Sequence, residues 1–163
     1  MLELLFGRKK RNSALESLFG AYVQPNFLKA LPDQLRLHAM PIEFIFVATR
    51  GDDVQLAADA LSLAVEQLAE GRWMVLSLMG PLVMAARGTP VDAPDAMGRQ
   101  LMAERLTTKL GPRGKVIHGQ RQAGVGDLGS ATRRSYGALI QDQLELLAAL
   151  HSAPWGTAIS TQN

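Results

Sequence analysis

"LSLMGPLVMAARGTP", residues 76 to 90, decides the fold. Apolar stretches on either side of Gly80-Pro81 predict two strands joined by a hairpin. Gly-Pro is not a favoured type I′ pair, because that turn needs positive φ at both central residues. Working outward, "PIEFIFVAT" (41–49) is rich in β-branched and aromatic residues and predicts a preceding strand. Gly51-Asp52-Asp53 turns the chain and supplies acidic caps to a helix of about five turns. Val54, Ala57, Ala58, Leu61, Ala64, Val65 and Leu68 line its apolar face, and Gly71 ends it.

Beyond the hairpin, "VDAPDAMGRQLMAERLTTKLGP" predicts a helix with Pro94 in its first turn, ended by Gly111-Pro112. "GKVIHGQRQAGVG" reads as a strand pair loosened by glycines, and "DLGSATRRSYG" as a loop. "ALIQDQLELLAALHS" reads as a helix and "GTAIS" (156–160) as a last short strand. Upstream, "SALESLFGAYV" (13–23) and "PNFLKAL" have helical spacing. Residues 1–40 are thus a basic N-terminal segment with connecting helices, and 41–163 an α/β domain. The order predicts an α+β fold, a ferredoxin-like βαββαβ core with an appended helix and strand. Strands flanking a helix are expected to pair in parallel, with the helices on one face of the sheet.

The chain's 163 residues suffice for one domain with a sizeable core. With no cysteine there is no disulfide framework and no thiolate ligand or nucleophile, which fits the cytoplasm. No apolar run approaches the roughly 20 residues of a membrane helix. The net charge of +2 gives no reason to expect nucleic acid. The sharpest basic cluster is Arg8, Lys9, Lys10 and Arg11, beside Leu2, Leu4, Leu5 and Phe6. It has two readings: peripheral contact with the inner face of a membrane, or a solvated tail. Arg133 and Arg134 are likewise either anion or partner contacts or a solvated loop. The Arg-Gly-Asp at 50–52 belongs to a strand-to-helix junction.

Five segments in register carry a family resemblance. "FGAYVQPNFLKAL" is similar to Phe-x-x-Tyr-Val-x-Pro at the start of a bacterial domain type. "IEFIFVATRG" resembles Val-x-Val-Leu-Phe-Ala-Asp-Ile-Arg-Gly. "LMGPLVMAARGTP" resembles Ile-Gly-Asp-Ala-Val-Met-Ala-Val-Phe-Gly-Ala-Pro. "IHGQRQAGVGDLGSATRRSYGALIQDQLELLAAL" resembles Ile-His-x-Gly-x-x-Val-Gly-Asn-Ile-Gly-Ser, then Arg-Tyr-Thr and Gly-Asp-x-Val-Asn-x-Ala-x-Arg-Leu. "APWGTAIS" is similar to Pro-Gly-x-Ile-x-Ile-Ser. Over roughly residues 19–160 the chain resembles the catalytic domain of class III adenylate and guanylate cyclases. Such domains usually continue for a further strand or two beyond the position of Ser160.

The resemblance implies two metal-binding aspartates, but their positions hold Ala48 and Pro81. A methyl group and a pyrrolidine ring bind no divalent ion. The base-reading lysine corresponds to Ser77 and its Asp or Thr partner to Gly137. The ribose-orienting asparagine and the transition-state arginine correspond to Glu145 and Ala149. Both halves of a composite site are therefore replaced, and no metal or other cofactor is implied. His38, His118 and His151 fall on separate elements without ligand spacing, and His118 sits in a predicted strand. Leu78, Leu82, Leu144, Leu147 and Trp155 keep an apolar pattern that serves core or interface.

What the resemblance implies is a catalytically inactive cyclase-like domain in signalling. It would dimerise with itself, or pair with a cyclase-like or other signalling protein. Two readings stand beside it: a sensor that binds a nucleotide or small ligand without metals, and a divergent cyclase.

Overall fold

A computed structural model describes residues 38–88, 96–127 and 136–161. The helices expected at 13–23 and 25–31, the basic cluster at 8–11 and Arg133 with Arg134 lie outside these residues.

Strand β1 (His38–Thr49) is the centre of the sheet. It starts three residues earlier than its sequence predicts, because Pro41 is accommodated within the strand. Every residue from Ile42 to Val47 is buried, since both faces of this strand are covered. Its near-continuous apolar run follows from that, with Glu43 the exception.

Helix α1 (Val54–Glu70) begins at Asp53, whose Oδ1 accepts the Leu56 N–H at 2.8 Å. Gly51 is needed for space: a Cβ there would lie 2.6 Å from Leu56 C and 2.8 Å from Ala57 Cα. The helix does not end in a left-handed glycine. Gly71 keeps φ at −76°, and Arg72 takes the left-handed conformation at φ 59°. A Cβ on Gly71 would instead strike the Met102 side chain.

Strands β2 (Met74–Met79) and β3 (Leu82–Gly88) form the expected hairpin, with an irregularity between Val75 and Ser77. Gly80 has φ 56°. Pro81 fixes its own φ near −65°, so the turn cannot be type I′. Helix α2 (Ala96–Leu110) ends in a single 3-10 turn, Gly111–Arg113, where Gly111 has φ 56°.

Three expectations are corrected in the second half of the chain. Gly114–Asp127 is one 14-residue strand, β4, rather than a strand pair. Tyr136–Ile140 is a strand, β5, so Ala138, Leu139 and Ile140 do not belong to the following helix. That helix, α3, spans Gln143–Ser152 and leads to β6 (Ala158–Thr161). The appended unit is therefore strand, helix and strand.

The sheet order is β2-β3-β1-β4-β5, with β6 also beside β4. The β4 edge is divided: Ala123 to Asp127 pair with β5, and Val116 to Gly119 pair with β6. Contrary to the parallel expectation, among the described strands β4–β6 is the parallel pair and the other four pairings are antiparallel. Strands β1 and β2, which flank α1, are separated by β3.

Helices cover both faces, which corrects the one-face expectation. Ala60, Ala64 and Leu68 of α1 and Met102 and Leu106 of α2 pack on Ile45, Val47, Val83 and Ala85. Leu146 and Leu150 of α3 pack on the opposite face, against Ile42, Phe44, Phe46 and Ile117. The outermost turn of α3 and the segment after it overhang one end of β1, where a cleft forms.

Candidate functional site

Three strands meet at the cleft floor. Ala48, next to last in β1, is paired with Leu82 of β3 on one side and Lys115 of β4 on the other. Thr49 fixes the hairpin to this point. Its N–H donates to the Pro81 carbonyl at 2.8 Å and its Oγ1 donates to the same oxygen at 3.1 Å. Leu147, Leu150 and His151 of α3 form one wall and Trp155 another. The cleft is open to solvent and has a volume of about 560 Å³, within the size range of small-molecule sites.

Two cations stand in this largely apolar space. Lys115 is only 6 % exposed. Its Nζ donates to the carbonyls of His151 and Ala153, the latter at 3.2 Å. These carbonyls belong to the negative end of the α3 dipole, which favours the ammonium. Nζ also lies 4.7 Å from the centroid of Trp155. The Arg50 guanidinium lies 4.5 Å from the same centroid, while its Nε donates to the Pro112 carbonyl at 3.0 Å. The described ion pairs involve neither cation, and no described lining residue is acidic.

Of the six positions singled out from sequence, Ala48 and Pro81 line this cleft together and the other four do not. Ser77 is on β2, half-buried and opposite Met84. Gly137 is buried in β5 opposite Gly126. Glu145 and Ala149 are exposed on α3, away from the face that carries Leu146 and Leu150. Asp52 and Asp53 are exposed at the start of α1, where Asp53 acts as the cap.

Sequence reading missed Lys115 and Arg50. The available signal for Lys115 was a single cation inside the strand "GKVIHG" on the same face as apolar Ile117. Nothing local distinguishes Arg50, whose aromatic partner is more than 100 residues away.

His118 is buried on the opposite face of β4, paired with Ile45. Burial is the main cause that lowers its pKa from 6.5; Arg99 lowers it further and Glu104 opposes them. Nearby, Glu43 is fully buried between Arg87 at 2.6 Å and Arg99 at 2.9 Å. This face carries a structural network linking β1, β3 and α2.

The residues of the cleft do not fit divalent ions. Mg²⁺ and Mn²⁺ take oxygen ligands, typically carboxylates, whereas the described lining of this cleft is apolar groups, Thr49, His151 and two cations. Among the described residues, no group of three or more His, Asp or Glu is placed to hold a metal.

No protein-family model matches the sequence, and no curated protein matches it either. Solved structures do match. The guanylyl cyclase Cya2 has 15% identity and a TM-score of 0.55 over 77% of each chain. The adenylyl cyclase CyaB from P. aeruginosa has 12% identity and a TM-score of 0.57, over 78% of this chain and 80% of that one. The dimeric guanylyl cyclase domain of the RhoGC fusion protein, from the aquatic fungus Blastocladiella emersonii, has 9% identity and a TM-score of 0.59. That match covers 77% of this chain and 82% of the fungal one. The chain has the nucleotidyl cyclase fold. In this cyclase-like domain, no helix among the described residues is long and apolar enough to cross a membrane.

Proposed function

We propose that this cyclase-like domain does not make cyclic nucleotides and acts as an interaction module in signalling. The observation that carries this reading is the cleft at Ala48 and Pro81, whose described lining is Arg50, Lys115, Thr49, His151 and apolar groups, with no carboxylate among these residues. Two-metal catalysis needs anionic ligands to hold the ions that activate the hydroxyl and neutralise phosphate.

Self-association, or pairing with another cyclase-like domain, is the accompanying proposal. Leu78 and Met79 at the hairpin are 53% and 51% exposed; Leu139 of β5 and Leu144 of α3 reach 55% and 83%. Burial of these groups against a partner would remove apolar surface from water. The guanylyl cyclase domain of the fungal RhoGC protein is a non-canonical dimer. Peripheral membrane contact through the N-terminal basic segment belongs to the same proposal.

Incubation of purified protein with ATP or GTP and Mn²⁺ tests inactivity. The expected result is no cyclic AMP or cyclic GMP; product proportional to protein concentration overturns the reading. Sedimentation velocity tests pairing, with concentration-dependent dimers expected and Leu144→Glu shifting them to monomers. A wild-type protein that stays monomeric at high micromolar concentration removes the self-association part.

A further inference from the structure

The cleft at Ala48 and Pro81 combines apolar walls with two cations. We propose that it binds an amphipathic carboxylate, an apolar body carrying one negative charge. The inference rests on the reading that no metal-nucleotide site exists here.

Three observations converge on that class. Ala48, Pro81, Leu82, Leu147, Leu150 and Trp155 supply apolar walls around about 560 Å³. A mainly apolar pocket with a few placed polar groups is the usual form of a small-molecule site. The charge is also one-signed: Arg50 and Lys115 face this space, and none of the described lining residues is acidic. An anion brought to them stays favourable where a cation is repelled.

The two cations are not equivalent. Lys115 is held by two carbonyls of the α3 end, so much of its charge is already accommodated. Arg50 is exposed and uses Nε on Pro112, and its planar group suits a carboxylate. Together they match one anionic head better than a triphosphate. A polyanion would leave most of its charge uncompensated against apolar walls. The ligand's body would lie along Leu147 and Trp155 with its head toward Arg50.

The probe is decanoate, with decylamine and 1-decanol as controls of equal chain length and different charge. Thermal unfolding and calorimetry on the full chain give the readout, because a ligand of the folded state must stabilise it. Decanoate is expected to bind saturably at one site per chain and raise the melting temperature. Decylamine is expected to have no such effect, and decanol a weaker one. Arg50→Gln is expected to weaken decanoate binding about tenfold, the loss of one charge-assisted contact. Leu147→Trp fills the cavity and is expected to abolish binding. Circular dichroism of both variants checks that they are folded.

No saturable decanoate binding by the wild type overturns the proposal. So does equal binding of decylamine, or unchanged binding by a folded Leu147→Trp variant. A parallel titration with Mn²⁺ and ATP separates the two levels. Saturable, metal-dependent nucleotide binding overturns the underlying reading as well; silence there, with decanoate also silent, overturns the carboxylate proposal only.

Discussion

Thr49 makes two hydrogen bonds to one oxygen, the Pro81 carbonyl, from its N–H at 2.8 Å and from Oγ1 at 3.1 Å. This clasp joins the end of β1 to the hairpin turn and sets the two cleft positions Ala48 and Pro81 side by side. Thr49→Val keeps the backbone bond and removes the hydroxyl. The expected loss is about 1 kcal/mol of unfolding free energy, measured by urea denaturation. An unchanged stability would show that Oγ1 contributes nothing to the clasp.

Substitution of Glu43 is expected to have a much larger effect. Its side chain is fully buried and bridges Arg87 and Arg99, whose side chains are 19% and 12% exposed. Removing one partner of a buried ionic group leaves the others uncompensated. Glu43→Gln is therefore expected to cost about 3–5 kcal/mol. The Arg105–Glu70 pair is close at 2.6 Å, yet its side chains are 47% and 57% exposed. Glu70→Gln is expected to cost less than about 1 kcal/mol by the same urea measurement.

Stability should also depend on pH through His118. Its folded pKa lies below 6.5, first because it is buried and then because Arg99 opposes a second positive charge. The unfolded chain therefore takes up a proton before the folded one does. This contribution is complete above pH 6.5 and is lost as the pH falls through 6.5 toward the lowered folded value. Glu104, the acidic group acting on His118, reduces the effect without reversing it. Unfolding curves from pH 7.5 to 5 should show falling stability, with a shallower decline in His118→Gln. Equal slopes would assign the pH dependence to other groups.

Two glycines illustrate a constraint of space. At Gly119 a Cβ would lie 2.5 Å from Thr161 Oγ1, 2.6 Å from Thr161 O and 3.0 Å from Phe44 Cε1. Gly119→Ala is expected to cost about 1–3 kcal/mol and to loosen β6, raising amide exchange at residues 158–161. Gly51→Ala is expected to cost a similar amount, since it meets the backbone of α1. Exchange at β6 should not change in that variant.

Among the described residues, the elements from β1 to β3 were legible because their boundaries carry local chemistry. Asp53 caps α1 and Gly80-Pro81 makes the turn, and both signals act within a few residues. Further on, the same type of signal misled. Glycines in β4 resembled breaks, although Gly119 is there to admit Thr161 and Phe44. Ala138 to Ile140 form a short apolar run continuous with an apolar helix, and periodicity cannot separate the two. The cleft was half legible. Ala48 and Pro81 could be placed together by resemblance, but Lys115 acquires its role from the α3 carbonyls and Trp155, contacts made only in the folded chain.

The most direct test of the central claim is a calorimetric titration of the purified chain with ATP and with GTP, each in excess Mn²⁺. The described lining of the cleft holds no carboxylate and two cations, so no saturable metal-dependent heat is predicted for either nucleotide. Saturable binding at one nucleotide per chain, lost when Mn²⁺ is chelated, would contradict the account and restore a metal-nucleotide site to this fold.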